Sequence, residues 1–170
     1  MTLDTSILFS TPKITPWVSK LISLVTKSPV GHVAIAFYDE TLEQRLVLES
    51  WWFGFRIINY NQWIKINRKL GEFVLPNYNF EAPLKELSKN IGTSYEYRTF
   101  FFAGLDSILS RMGVQLKPVQ TPNTYICSES VLRLLKLAGV PDVMHLENEA
   151  TDPGELYRIA KNSSEFVEIK

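Results

Sequence analysis

Residues 31–51, GHVAIAFYDETLEQRLVLESW, decide how this chain is read. Two β-favouring runs, 31–38 and 43–50, flank the polar segment Asp39, Glu40, Thr41 and Leu42. A hairpin over those residues sets Tyr38 opposite Glu43, and the same register carries His32 opposite Glu49. Directly opposed residues share a face, with Cβ atoms roughly 4.5–5.5 Å apart, and a slip of one would separate them. His32 also shares its face with Ala34 and Ala36, while Val33, Ile35 and Phe37 take the other. Small residues beside a polar one suit a place that another group must approach. A carboxylate there can hold one imidazole nitrogen, stabilise an imidazolium and leave the second nitrogen for a thiol. The plainer alternatives are a hydrogen-bonded structural His and a salt-bridged or edge-strand Glu. Against the latter, Glu49 sits in an apolar stretch with Leu48 and Trp51, where an unpaired carboxylate is costly.

The thiol comes from the single cysteine, Cys127. It follows a segment with Pro118, Pro122 and Asn123, read as a loop over 114–124, and stands at the front of a helix over Ser128–Ala138 closed by Gly139. A helix start offers unpaired N–H groups and the positive end of the dipole, which favour a thiolate and can stabilise an oxyanion. The plain reading is a buried small apolar residue. Cys127, His32 and Glu49 together make a Cys–His–carboxylate set.

The rest of the chain supplies a scaffold. Thr15–Pro16 with Trp17, Val18, Leu21, Leu24 and Val25 reads as a capped amphipathic helix, within an N-terminal helical extension over 1–27. FRIINY (55–60) and GEFVLP (71–76) read as further strands of an antiparallel meander. Pro83–Asn90 reads as a short helix closed by Gly92, and Arg98–Met112 as a longer one closed by Gly113. Asp152, Pro153 and Glu155 form an N-cap pattern, and EFVEIK (165–170) an edge strand. The fold class is α+β: helices packed against a largely antiparallel sheet in one domain over 1–170, with its core at 28–160.

Composition narrows the function. Lys and Arg total 18, as do Asp and Glu, so no basic excess points to nucleic acid. The basic cluster Lys65, Arg68 and Lys69 reads as a solvated face. Apolar residues make up 45% of 170, which argues against bulk disorder. A lone cysteine forms no internal disulfide, which fits a reducing compartment. Asp4, Pro12 and Pro16 argue against a signal peptide, and no apolar run approaches the roughly 20 residues that span a bilayer. A cytoplasmic location is expected, with a virion or a host-cell compartment left open. Two His and one Cys, widely separated, give no zinc spacing; no metal or cofactor is expected. His145 lies in a polar loop and reads as a surface residue. Ser128 and Ser130 lack a nucleophile-elbow motif, and Glu129 reads as a cap or surface group. Tyr95, Tyr97 and Phe100–Phe102 read as core, a lipid or acyl pocket being the minor alternative. Trp51, Trp52 and Trp63 read as core or cleft wall.

GHVAIAFY, VLES, CSESVLRLLKLAG and TDPGEL, in that order, resemble the permuted branch of the NlpC/P60 papain-like superfamily, including its YaeF/YiiX-type members. The resemblance covers about residues 28–160. It implies a circularly permuted papain-like fold and catalytic roles for His32, Glu49 and Cys127. The implied function is a cysteine hydrolase, amidase- or peptidase-like, acting on a peptide, peptidoglycan-like or acyl/lipid substrate. Two alternatives stay open: a non-catalytic binding or virion structural protein that kept the fold, and a thiol-dependent acyltransferase.

Overall fold

Ile7, Leu8 and Phe9 form an unbroken apolar run in which every side chain is buried. Such a run suits a strand covered on both faces, and it forms β1 (Ser6–Pro12). A computed structural model describes residues 4–13, 28–51, 54–92, 127–148 and 151–169. Its other strands are β2 (His32–Asp39), β3 (Gln44–Trp51), β4 (Gly54–Asn59), β5 (Asn67–Val74) and β6 (Val167–Glu168). They make one six-stranded sheet in the order β4-β3-β2-β1-β5-β6, with every neighbouring pair antiparallel. Among the described residues the helices are α1 (Tyr60–Ile66), α2 (Glu81–Ser88), α3 (Cys127–Leu137) and α4 (Pro153–Asn162), with a 3-10 turn at Pro141–Val143. The protein is thus mixed α+β.

Three expectations need correction. Residues 6–12 are no extension: β1 lies inside the sheet, between β2 and β5. Its solid apolar run hides the alternation by which strands are recognised. The expected helix around Thr15–Val25 lies outside the described residues, as do Arg98–Met112, the loop 114–124, Tyr95, Tyr97, Phe100–Phe102 and Trp52. Second, the β2–β3 turn falls one residue later, over Glu40–Glu43. The Asp39 carboxylate accepts the Leu42 N–H at 2.8 Å, so Asp39 stays in the strand and pairs with Gln44. Glu43 takes up the left-handed conformation, φ 49°. Tyr38 therefore faces Arg45, not Glu43. The register moves by two residues, so the parity survives and His32 and Glu49 still share a face. Third, the meander stops at β4. The unforeseen helix α1, capped by the Asn59 side chain accepting from Asn61 N–H, carries the chain over the sheet to pair β5 with β1.

Side-chain parity divides the core in two. Ile7, Phe9, Val33, Ile35, Leu48 and Phe73 pack with Val131, Leu132, Leu134 and Leu135 of α3 on one face. Leu8, Ala34, Ala36 and Val47 pack with Trp63 of α1 on the other. Helix α3 ends where expected: Gly139 has φ 79°, its N–H reaches Lys136 O, and Val140 N–H reaches Leu135 O, a glycine-closed C-terminus. Helix α4 starts where expected, with the Asp152 carboxylate accepting from Gly154 N–H and Glu155 N–H.

Gly154 presses the start of α4 against the segment leading into β2. A Cβ there would collide with the Ser28 side chain, whose Oγ accepts the Val30 N–H. Gly154→Ala is expected to cost about 1–3 kcal/mol through overpacking, seen as a lower urea midpoint with an unchanged slope.

Candidate active site

His32 is the first residue of β2, and Cys127 is the first described residue of α3. The body of α3 covers the apolar face, whereas His32 belongs by parity to the face that α1 covers. The two side chains come together at the rim where β2 begins: the imidazole bonds Glu49, and Cys127 lies near enough to raise the proton affinity of the ring. Nε2 contacts Glu49 Oε2 at 2.8 Å, which leaves Nδ1 as the ring nitrogen not engaged by the carboxylate. All three residues are buried, at 5%, 1% and 8% exposure for His32, Glu49 and Cys127. Ser130 Oγ and Ser50 Oγ lie 3.0 Å apart and tie the first turn of α3 to β3, one residue from Glu49.

The register explains how Glu49 reaches the ring. The β2–β3 ladder, continued past Ile35–Leu48, sets Trp51 opposite His32 and Glu49 diagonal to it. The Trp51 ring accordingly meets the His32 ring edge-on, with centroids 5.8 Å apart. A longer side chain is needed on the diagonal, and glutamate supplies it.

Glu49 has further partners that the sequence reading missed. Arg56, paired with it across β3–β4, donates from Nε at 3.0 Å and from a terminal guanidinium nitrogen at 2.7 Å to Oε1. Trp63 Nε1–H donates to Oε2 at 3.0 Å, so this Trp is core and ligand to the carboxylate at once. The short gap between QRLVLESW and FRIINY was the available signal for Arg56: a tight hairpin sets residue 56 opposite residue 49. No comparable signal pointed to Trp63, whose approach depends on the path of α1.

These contacts decide the charge states. Burial pushes the His32 imidazole down, but hydrogen bonds and charge from Cys127 and Glu49 outweigh it and lift the ring from 6.5 to about 10. Burial pushes the Glu49 carboxyl up, but His32 and Arg56 outweigh it and hold it below its ordinary 4.5. The result is an acid kept ionised beside an imidazolium, a pair able to pass a proton to and from a sulfur.

His145 is exposed, as expected. Lys69 is not simply solvated, since its Nζ donates to the buried Glu72 at 2.9 Å. Among the described residues no cluster of three His, Cys, Asp or Glu side chains could hold a metal ion, and no helix is long and apolar enough to cross a membrane. No protein-family model matches the chain, and no curated protein matches it.

Glu49→Gln removes the charge that four N–H groups address. It is expected to cost about 3 kcal/mol near pH 6. The difference from wild type should shrink on both sides. Below 4.5 the unfolded carboxyl is protonated and the advantage of the depressed folded group is lost as pH falls. Above 6.5 the unfolded imidazole is neutral, and the advantage of the raised folded ring is lost as pH rises through about 10. Urea unfolding of both proteins across this range measures it.

Proposed function

We propose that the protein is a cysteine hydrolase of the permuted NlpC/P60 papain-like type, with Cys127 as nucleophile, His32 as general base and acid, and Glu49 as the group that orients and charges the ring. The observation that carries this reading is an imidazole bonded to a buried carboxylate and raised in proton affinity by the neighbouring Cys127 of α3. A buried structural His needs no thiol partner, and a buried structural Cys needs no imidazole.

In the proposed reaction Cys127 Sγ attacks a carbonyl carbon while His32 holds the thiol proton. The carbonyl π pair moves to oxygen, and the N–H groups opening α3 face that developing charge. Collapse breaks the bond to the leaving amine, alcohol or thiol, which takes the proton from His32. Water then attacks the acyl-enzyme, giving a proton back to the ring, and the released Sγ recovers it. The substrate class is an amide, ester or thioester of a peptide, peptidoglycan-like or acyl/lipid molecule.

Iodoacetamide labelling of Cys127 against pH tests the reading. A plain thiol near ~8.5 is only about 0.3% ionised at pH 6. A thiolate paired with the imidazolium is expected to label at least about tenfold faster than such a thiol at pH 6, even after its lower intrinsic nucleophilicity. A rate that climbs only towards ~8.5 would remove the support for a catalytic thiol.

A further inference from the structure

Among the described residues, Arg56 is the one charged group on Glu49 that lies beyond the Cys–His–Glu set. It comes from β4 and grips Oε1 with two N–H groups, while Oε2 is left to His32 and Trp63. Its guanidinium also lies over the Trp51 ring, 4.8 Å from the centroid, and Trp51 in turn meets the His32 ring. The charges then alternate along one path: sulfur, imidazole, carboxylate, guanidinium. With all four ionised the path is neutral. Without Arg56 the same path carries a net negative charge in a buried place, where opposite charges matter most. Among the described residues the groups acting on the imidazole by charge are Cys127 from α3 and Glu49 from β3. Arg56 from β4 and His32 from β2 act on Glu49, and α1 contributes only the uncharged Trp63 indole.

Resting on the cysteine-hydrolase proposal above, we propose that Arg56 is a positioning residue that fixes Glu49 and offsets its charge, so that the Cys127–His32 couple ionises its thiol more readily and its imidazolium gives up a proton more readily. A two-pronged guanidinium suits both tasks, since it fixes the carboxylate plane and keeps its charge at any pH of interest. Losing the charge leaves more negative potential on the couple, and the imidazole holds its proton to higher pH. Loosening of the structure does something different. It lets the imidazole fall towards its ordinary ~6.5. The two causes therefore move His32 in opposite directions.

The test uses the full chain with Arg56→Gln and Arg56→Lys. Cys127 is followed by the iodoacetamide rate against pH, and His32 by NMR titration of its ring. In Arg56→Gln the His32 midpoint is expected to rise, and labelling of Cys127 at pH 6 to fall about tenfold. A His32 midpoint that falls in Arg56→Gln overturns the proposal. Arg56→Lys keeps the charge and is expected to keep the His32 midpoint and the pH 6 labelling rate near wild type. A tenfold loss of pH 6 labelling in Arg56→Lys also overturns the proposal, and that result holds even if the Gln variant fails to fold. A wild-type thiol that labels like a free one sinks the hydrolase reading itself. A wild-type thiol ionised at low pH, with an unmoved Gln variant, sinks only the role of Arg56.

Discussion

A carboxylate with 1% of its surface exposed must be supplied with donors or give up its charge. Glu49 is supplied by His32, Arg56 and Trp63, which come from β2, β4 and α1. Three elements are thereby tied to one point on β3. The site and the fold depend on the same interaction: the bonds that keep Glu49 ionised also hold the imidazole at the rim where Cys127 arrives on α3.

The same face of the sheet carries a second buried carboxylate. Glu72 on β5 is met by Ser6 Oγ at 2.8 Å, Lys69 Nζ at 2.9 Å and Tyr60 hydroxyl at 3.2 Å, and by the Arg45 guanidinium. Arg45 also lies over the Tyr60 ring, 4.3 Å from its centroid. Tyr60 and Trp63 both belong to α1, with their rings stacked. The crossover helix is therefore pinned to the sheet at two acids, one by each aromatic. A seven-residue helix has little stability of its own, and these contacts explain why it forms where it does.

Much of this was legible in the sequence because the relevant signals are local. The β2–β3 pairing follows from two apolar runs and a polar turn. Although the turn fell one residue late, the period of two kept His32 and Glu49 on one face. The α3 and α4 boundaries follow from Gly139, Asp152 and Pro153. What escaped notice was non-local or without period. β1 is buried on both faces and shows no alternation. α1 is short and takes its stability from partners far along the chain. Trp63 could not be assigned to Glu49 without the path of α1. Arg56 was within reach, since the β3–β4 hairpin obeys the same pairing rule as the first.

The contact between Glu49 and Nε2 assigns each ring nitrogen a role, and the most direct measurement looks at those nitrogens. Nitrogen-15 NMR of His32 in the wild-type chain at pH 7 should find both ring nitrogens protonated, with the Nε2 proton shifted downfield by its bond to the carboxylate. A neutral ring at pH 7, with one nitrogen bare, would contradict the account.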